Sequence, residues 1–240
     1  RFLAEQGVPV PRIVSLPDGV DLDVFRPLPR DPELVARFQL AGRPVVVFLG
    51  VLTQYQGVDT LLAAIPLVLS RVPGTRVLVM GYPNEAAYRA KAAAAGLEEA
   101  VTFTGRIAYR EAASWLALGD VAVSPKESLT EANGKLLNYM GCGLPVVASE
   151  TPVNREVLGD LGVFAAVGDH AALADGIVSL LLDEGRRRHL GEALRQRARE
   201  RFSWGSLARR LLATYREAIA QRQGMTFASD PAVPDPSPPA

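Results

Sequence analysis

The sequence is poor in the residues that build disulfide, redox and metal chemistry. Its 240 residues include one cysteine, Cys142, and two histidines. A single thiol excludes an internal disulfide framework, and nothing demands an oxidising compartment, so a cytoplasmic protein is expected. Cys142 reads as a small buried residue. His170 and His189 lie far apart, and neither has a cysteine or carboxylate at metal-ligand spacing, so no metal site and no cofactor are expected. His170 follows Asp169 at an expected helix start, which capping explains. An excess of charge is also missing. The 26 basic and 26 acidic residues cancel, leaving no electrostatic footprint for nucleic acid or an anionic membrane. The local cluster Arg186–Arg188 reads as a solvated helix face. Long apolar runs are absent as well. A candidate such as Ile177–Leu182 falls far short of the roughly 20 residues that span a bilayer. The chain opens on Arg1 rather than Met and carries no signal-peptide pattern, and its first residues read as the interior of a longer protein. A fragment is therefore expected, with an amino-terminal portion unseen.

What is present is a hydrophobic fraction of 48%, enough for a sizeable core. Short apolar runs rich in β-branched residues recur at Arg12–Leu16, Pro44–Leu49, Arg76–Met80, Val101–Phe103, Asp120–Val123, Pro145–Ala148 and Gly162–Ala166. Bounded by Gly, Pro or Asp, they read as buried strands. Between them, apolar residues at three- and four-residue spacing predict helices, as at Leu61–Leu69, Ala112–Leu118 and Leu173–Leu181. That alternation predicts an α/β fold, a Rossmann-like, mostly parallel sheet with helices on both faces. Past about residue 184 the strands stop, and helices are expected over Glu184–Phe202 and Trp204–Arg222. Residues 225–240 carry five prolines and read as a disordered tail. The expected organisation is a lead-in segment at 1–28, the Rossmann-like domain at 29–200, a closing helix at 201–222 and the tail at 223–240.

Ligands of open parallel sheets bind beyond the carboxyl ends of the strands. The segment after Asp120–Val123 is the richest such place, running from Ser124 through Glu131-Ala-Asn133-Gly134-Lys135 to Asn138 and on to Pro145. Asn133 suits a helix N-cap, and Gly134 permits close backbone approach. The amides of Gly134, Lys135 and Leu136 would then face outward at the positive helix end, which suits phosphate oxygens. Lys135 and Asn138 are three apart and share a face, while Leu137 and Met140 can pack. Glu131 supplies an acceptor for hydroxyls. An ordinary helix start, with a capping Asn and a solvated Lys, accounts for the same residues. Other patterns are read as structural. Asp21-Leu-Asp23 lacks helper ligands for a metal, Gly141-Cys-Gly143 closes a helix, and Trp204 and Tyr215 read as anchoring aromatics.

The stretch from Glu131 to Ser149, followed by Asn154-Arg-Glu-Val-Leu-Gly159, resembles the donor-binding signature of family 4 (group 1) glycosyltransferases of the GT-B fold. Four landmarks support the resemblance in order: Asp18-Gly-Val-Asp21 with Val24-Phe25-Arg-Pro27; Phe48-Leu-Gly50 with Tyr55-Gln-Gly57 through Leu62; Phe103-Thr-Gly105-Arg106; and Arg201-Phe-Ser-Trp204 with Tyr215. Together they cover roughly residues 7–220. The resemblance implies the carboxyl-terminal, donor-binding half of an enzyme that moves a sugar from a nucleotide-diphosphate sugar to an acceptor hydroxyl, with retention and without a metal. By it the Asn133–Leu136 amides hold the diphosphate, Lys135 adds charge, Glu131 meets the transferred sugar, Asn138 takes the ribose position, and Arg106 lies near the base. Gly50, Val51 and Gln56 form the loop facing the diphosphate. The acceptor-binding partner would be the absent amino-terminal domain, through which any peripheral membrane contact would run. The closing helix would expose part of its apolar face.

This sequence departs from the family pattern in four respects. Asn138 stands where a second glutamate is usual, and Glu131 precedes it by seven residues, one fewer than is usual. An Arg after the first-strand glycine and a Lys before the next glycine are replaced by Val51 and Gln56. Two lost cations would weaken a diphosphate site unless Lys135 compensates. The alternatives are a non-catalytic nucleotide-binding module or subunit, a GT-B epimerase or phosphorylase, and a nicotinamide-dependent oxidoreductase. The second is disfavoured by the two poorly placed histidines, the third by the missing glycine fingerprint.

Overall fold

In the computed structural model, which describes residues 2–223, sixteen helices and strands alternate as expected for an α/β chain. They are α1 (Phe2–Glu5), α2 (Pro32–Arg37), β1 (Val45–Leu49), α3 (Val58–Arg71), β2 (Arg76–Met80), α4 (Glu85–Ala94), β3 (Val101–Gly105), α5 (Ala112–Leu116), β4 (Val121–Ser124), α6 (Gly134–Gly141), β5 (Val146–Ser149), α7 (Pro152–Leu158), β6 (Val163–Ala165), α8 (His170–Leu181), α9 (Glu184–Arg197) and α10 (Trp204–Gln223). All six strands pair in parallel in the order β3-β2-β1-β4-β5-β6. This is the doubly wound Rossmann order, and its direction reverses between β1 and β4. The expected tail lies outside the described residues apart from Gln223, which ends α10.

Alternation along each strand divides the core. Val46 and Phe48 of β1, with Val77, Val79, Val101 and Phe103, pack beneath α3, α4 and α8. Val45 and Val47, with Leu78, Met80, Ala122 and Val146, pack against α5, α6 and α9 on the other face. Strands buried on both faces need the near-continuous apolar runs that the sequence carries. Arg187 is half-buried rather than solvated, because its guanidinium donates to the last carbonyls of α8, Leu180 at 2.7 Å and Leu181 at 2.6 Å.

One expected strand is absent. Arg12–Leu16 instead follows a 3-10 turn (Val10–Arg12) and runs on unpaired, with Val14 and Leu16 exposed. Pro9, Pro11 and Pro17 remove amide donors there, and an apolar run becomes a strand only beside a partner edge. The chain joins the domain later, where the Val20 amide donates to the Phe202 carbonyl at 2.8 Å. That contact seats the lead-in segment beside the turn before α10. Trp204 packs over Gly19 while staying 58% exposed, and Tyr215 is 57% exposed, so both are less buried than an anchoring role implies. Leu212 and Ile219 are exposed on the same helix.

Loops at the carboxyl edge are packed backbone to backbone. A Cβ at Gly57, whose φ is +75°, would lie 1.8 Å from the Pro125 carbonyl oxygen, so only glycine lets the β1–α3 loop touch the β4–α6 loop. Gly57→Ala is expected to destabilise the fold by about 3 kcal/mol or more, combining left-handed strain with a clash. Gly96→Ala has a similar φ of +68° but open space around its Cβ, and should cost about 1–2 kcal/mol. Urea denaturation of the two variants would measure the difference.

Candidate functional site

The carboxyl edge between β1 and β4 gathers the residues with chemistry. The two strands pair at only two registers, Val46 with Val121 and Val47 with Ala122, and then diverge. Tyr139 of α6, fully buried, fills the fork. Its hydroxyl accepts from the Leu49 amide at 2.8 Å and donates to the Val123 carbonyl at 3.2 Å. Burial raises its phenol pKa, so the hydroxyl stays protonated. Sequence reading missed Tyr139, since an aromatic amid Leu and Met at helical spacing reads only as packing.

A buried polar network supports the start of α6. The side-chain amide of Asn133 donates to Ser124 Oγ at 2.9 Å and to Asn154 Oδ1 at 2.8 Å, and Asn154 in turn donates to the Ser149 carbonyl at 2.8 Å. Asn133 occupies the N-cap position, but its side chain does not cap the helix. The expectation of a side-chain cap is therefore wrong, because buried partners below the helix outcompete its first amides. The amide set is also smaller than expected. Leu136 is buried and its N–H donates to the Asn133 carbonyl at 3.0 Å, closing a tight first turn. Among the described residues the N–H groups of Gly134 and Lys135 have no acceptor, and no atom lies within 4 Å of a Cβ built at Gly134. Two free amides thus stand at a positive helix end, with open space on the Cβ side of Gly134.

Lys135 does not extend into solvent. Its ammonium donates to Gln56 Oε1, sits 4.9 Å above the Phe48 ring, and fills the space left by Gly50, whose Cβ would come within 2.8 Å of Lys135 Cε. Burial, and then the charge of nearby Lys126, lower its pKa to about 7. Among the described residues it enters no ion pair. An unpaired buried ammonium beside two free amides is an incomplete electrostatic arrangement, and an anion would complete it. Gly50, Gln56, Gly134 and Lys135 therefore come together. Val51 is exposed and contributes no polar group, and Asn138 is half-buried one turn along α6. Arg106 lies further along the edge, its guanidinium 5.1 Å from the centre of the half-exposed Tyr82 ring.

Glu131 is exposed and pairs at 3.0 Å with Lys126, a buried lysine not anticipated from sequence. Its signal was a cation two residues after β4, in Ser124-Pro-Lys126, easily read as solvated loop. A cleft of about 200 Å³ adjoins the start of α6, lined by Asp18, Thr130, Asn133, Gly134 and Glu156 among others.

A match to the family described as "Glycosyl transferases group 1" extends over residues 43–183, more than half of the chain. The chain belongs to the group 1 glycosyltransferases. It is 33% identical over 223 residues to a GDP-mannose-dependent alpha-(1-6)-phosphatidylinositol monomannoside mannosyltransferase of Mycobacterium tuberculosis, with 88% of this chain and 57% of that protein covered. Among solved structures it resembles sucrose-phosphate synthase from Thermosynechococcus elongatus, with a TM-score of 0.73, 27% identity, and 86% and 52% of the two chains covered. It also matches the fold of the C-terminal domain of a group 1 family glycosyl transferase from Francisella tularensis, with a TM-score of 0.65, 22% identity, and 78% and 100% covered. This glycosyltransferase chain thus spans about half the length of the curated relatives it matches. Among its described residues no helix is long and apolar enough to cross a membrane.

Two outcomes follow for this site. Tyr139→Phe should lower stability by about 1–3 kcal/mol in urea denaturation, because the buried Leu49 amide and Val123 carbonyl lose their bridge. The Lys135 pKa of about 7 lies below its ordinary 10.5, so between those pH values the unfolded chain binds more protons and stability rises with pH. The cost of the buried charge is complete below pH 7. Lys135→Met should therefore raise the melting temperature most near pH 6, by about 2–4 °C per kcal/mol relieved. The gain should shrink toward pH 10 in thermal melts.

Proposed function

We propose that this chain is the carboxyl-terminal, donor-binding half of a metal-independent, retaining glycosyltransferase that uses a nucleotide-diphosphate sugar. The observation that carries this reading is the unpaired Lys135 ammonium held at the switch point beside the free amides of Gly134 and Lys135. The family pattern places one cation at each of positions 51 and 56, and here Gln56 instead accepts a hydrogen bond from Lys135. The charge reaches the same loop from α6 rather than from the β1–α3 connection. The GDP-mannose dependence named for the mycobacterial relative supports a nucleotide-sugar donor.

In this scheme the diphosphate lies across the start of α6, and the ribose meets Asn138. The base lies toward Tyr82 and Arg106, and the sugar meets Glu131 and the adjoining cleft. As the bond between sugar and phosphate breaks, negative charge grows on the departing diphosphate. Lys135 and the two amides stabilise that charge in a largely desolvated site. No nucleophile from this chain is required, and the acceptor is brought by the other half of the enzyme. The isolated chain binds donor and transfers nothing.

Calorimetric titration with UDP, GDP, UDP-glucose and GDP-mannose tests this reading. Saturable binding of one nucleotide is expected, weakened about tenfold or more by Lys135→Ala through loss of a charge-assisted hydrogen bond. Because bound diphosphate raises the depressed Lys135 pKa, binding at pH 8.5 should take up about one proton, read from buffers of different ionisation enthalpy. Affinity should fall as pH rises above 7, and Lys135→Ala should remove that slope. A folded chain that binds none of the four ligands would overturn the donor site and favour a module that has lost binding.

A further inference from the structure

Lys126 is a buried cation that the donor scheme leaves unused. It follows β4 by two residues, and its side chain is 5% exposed. Its ammonium donates to the Ala132 carbonyl at 2.8 Å and pairs with Glu131 Oε2 at 3.0 Å. One lysine thereby ties together both ends of the irregular segment between β4 and α6. The rest of that segment is braced from elsewhere. The Glu127 amide donates to the Tyr55 carbonyl at 2.9 Å, Thr60 Oγ1 donates to Glu127 at 3.2 Å, and the Glu131 amide donates to Ser128 Oγ at 3.3 Å.

Glu131 is otherwise unsupported. Its side chain is 58% exposed, and Lys126 is its ion-pair partner. A glutamate on an exposed loop samples many rotamers, and ordering it on a ligand costs conformational entropy. Here one carboxylate oxygen is already committed to a fixed ammonium, and the other remains open. Lys126 itself is withdrawn from a ligand, since it is buried, donates to the Ala132 carbonyl and has its charge paired with Glu131.

We propose that Lys126 is the positioning residue for Glu131, so that recognition of the sugar on the donor runs through a lysine the ligand never contacts. The inference rests on the donor reading above and adds to it how the sugar half of the ligand is distinguished from the nucleotide half. Pre-ordering Glu131 lowers the entropic cost of the sugar contact. The nucleoside diphosphate is held by Lys135 and the α6 amides, and Lys126 acts on it only through its charge near Lys135, an effect shared by the diphosphate and its sugar conjugate.

The test compares dissociation constants of the chain for a nucleoside diphosphate and for its sugar conjugate, GDP against GDP-mannose and UDP against UDP-glucose. The ratio of the two reports the contribution of the sugar. In Lys126→Met and in Glu131→Gln that ratio should fall about tenfold, the size of a lost charge-assisted contact. The double variant should fall no further, since the residues act as one unit. Measured at pH 6, where Lys135 is charged with or without Lys126, affinity for the free diphosphate should stay within about twofold, and Lys126→Arg should restore the ratio in part. Equal weakening of both ligands by Lys126→Met would overturn the proposal in favour of a direct phosphate contact. An unchanged ratio, or a wild-type ratio of one, would also overturn it. Should Lys126→Met not fold, the bulkier guanidinium fork of Lys126→Arg must still shift the ratio without moving the diphosphate constant, or the proposal fails. Absence of nucleotide binding by the unmodified chain would defeat the donor reading itself, and that result precedes any comparison of variants.

Discussion

The hydroxyl of Tyr139 holds the molecule together where its sheet changes direction. Parallel strands β1 and β4 diverge at their carboxyl ends because the chain winds outward from them in opposite senses. That divergence opens the crevice in which doubly wound proteins bind ligands, and it also leaves backbone groups without a ladder partner. Tyr139 satisfies the Leu49 amide and the Val123 carbonyl with one atom. The same contact fixes the depth of α6, so that Gly134 and Lys135 stand at the rim of the fork. Displacing the hydroxyl would open a buried polar gap and release the helix that carries the site.

Charge within that fork is arranged at the expense of stability. A buried ammonium without a carboxylate is unfavourable, and the depressed pKa of Lys135 expresses that cost. Gln56 supplies a neutral acceptor, Phe48 a ring face and Gly50 the space. None of these neutralises the charge, so the site remains complementary to an anion. Lys126 is treated differently: more deeply buried, it is paired with Glu131 and a carbonyl. Under the proposed function the two lysines divide the work, one left free to attract a ligand and the other used to shape a loop.

Much of the fold was legible before any coordinates. Six of the seven apolar runs became strands because a strand buried on both faces needs little beyond β-branched residues and a stop at each end. Arg12–Leu16 failed for want of a neighbouring edge, a property of topology that no local pattern contains. The candidate site divides along the same line. Gly134, Lys135, Gln56 and Gly50 were each identified from motif positions, and the chain brings them together. The N-cap role of Asn133 and the outward amide of Leu136 were misjudged. Both depend on competition between hydrogen-bond partners, and the winners, Ser124, Asn154 and the Asn133 carbonyl itself, became evident only once the loop had closed.

The sequence by itself determined the parallel α/β architecture and its family, and it singled out the stretch proposed to hold the donor. Periodicity, turn residues and motif order are local properties, and local properties survive in a linear string. Tertiary structure decided which lysine would be free and which paired. It also decided that a charge missing from the β1–α3 loop would arrive from α6, 79 residues away in the chain from the glutamine that receives it. Burial and charge pairing depend on which side chains converge from distant elements, and convergence exists only in the folded chain.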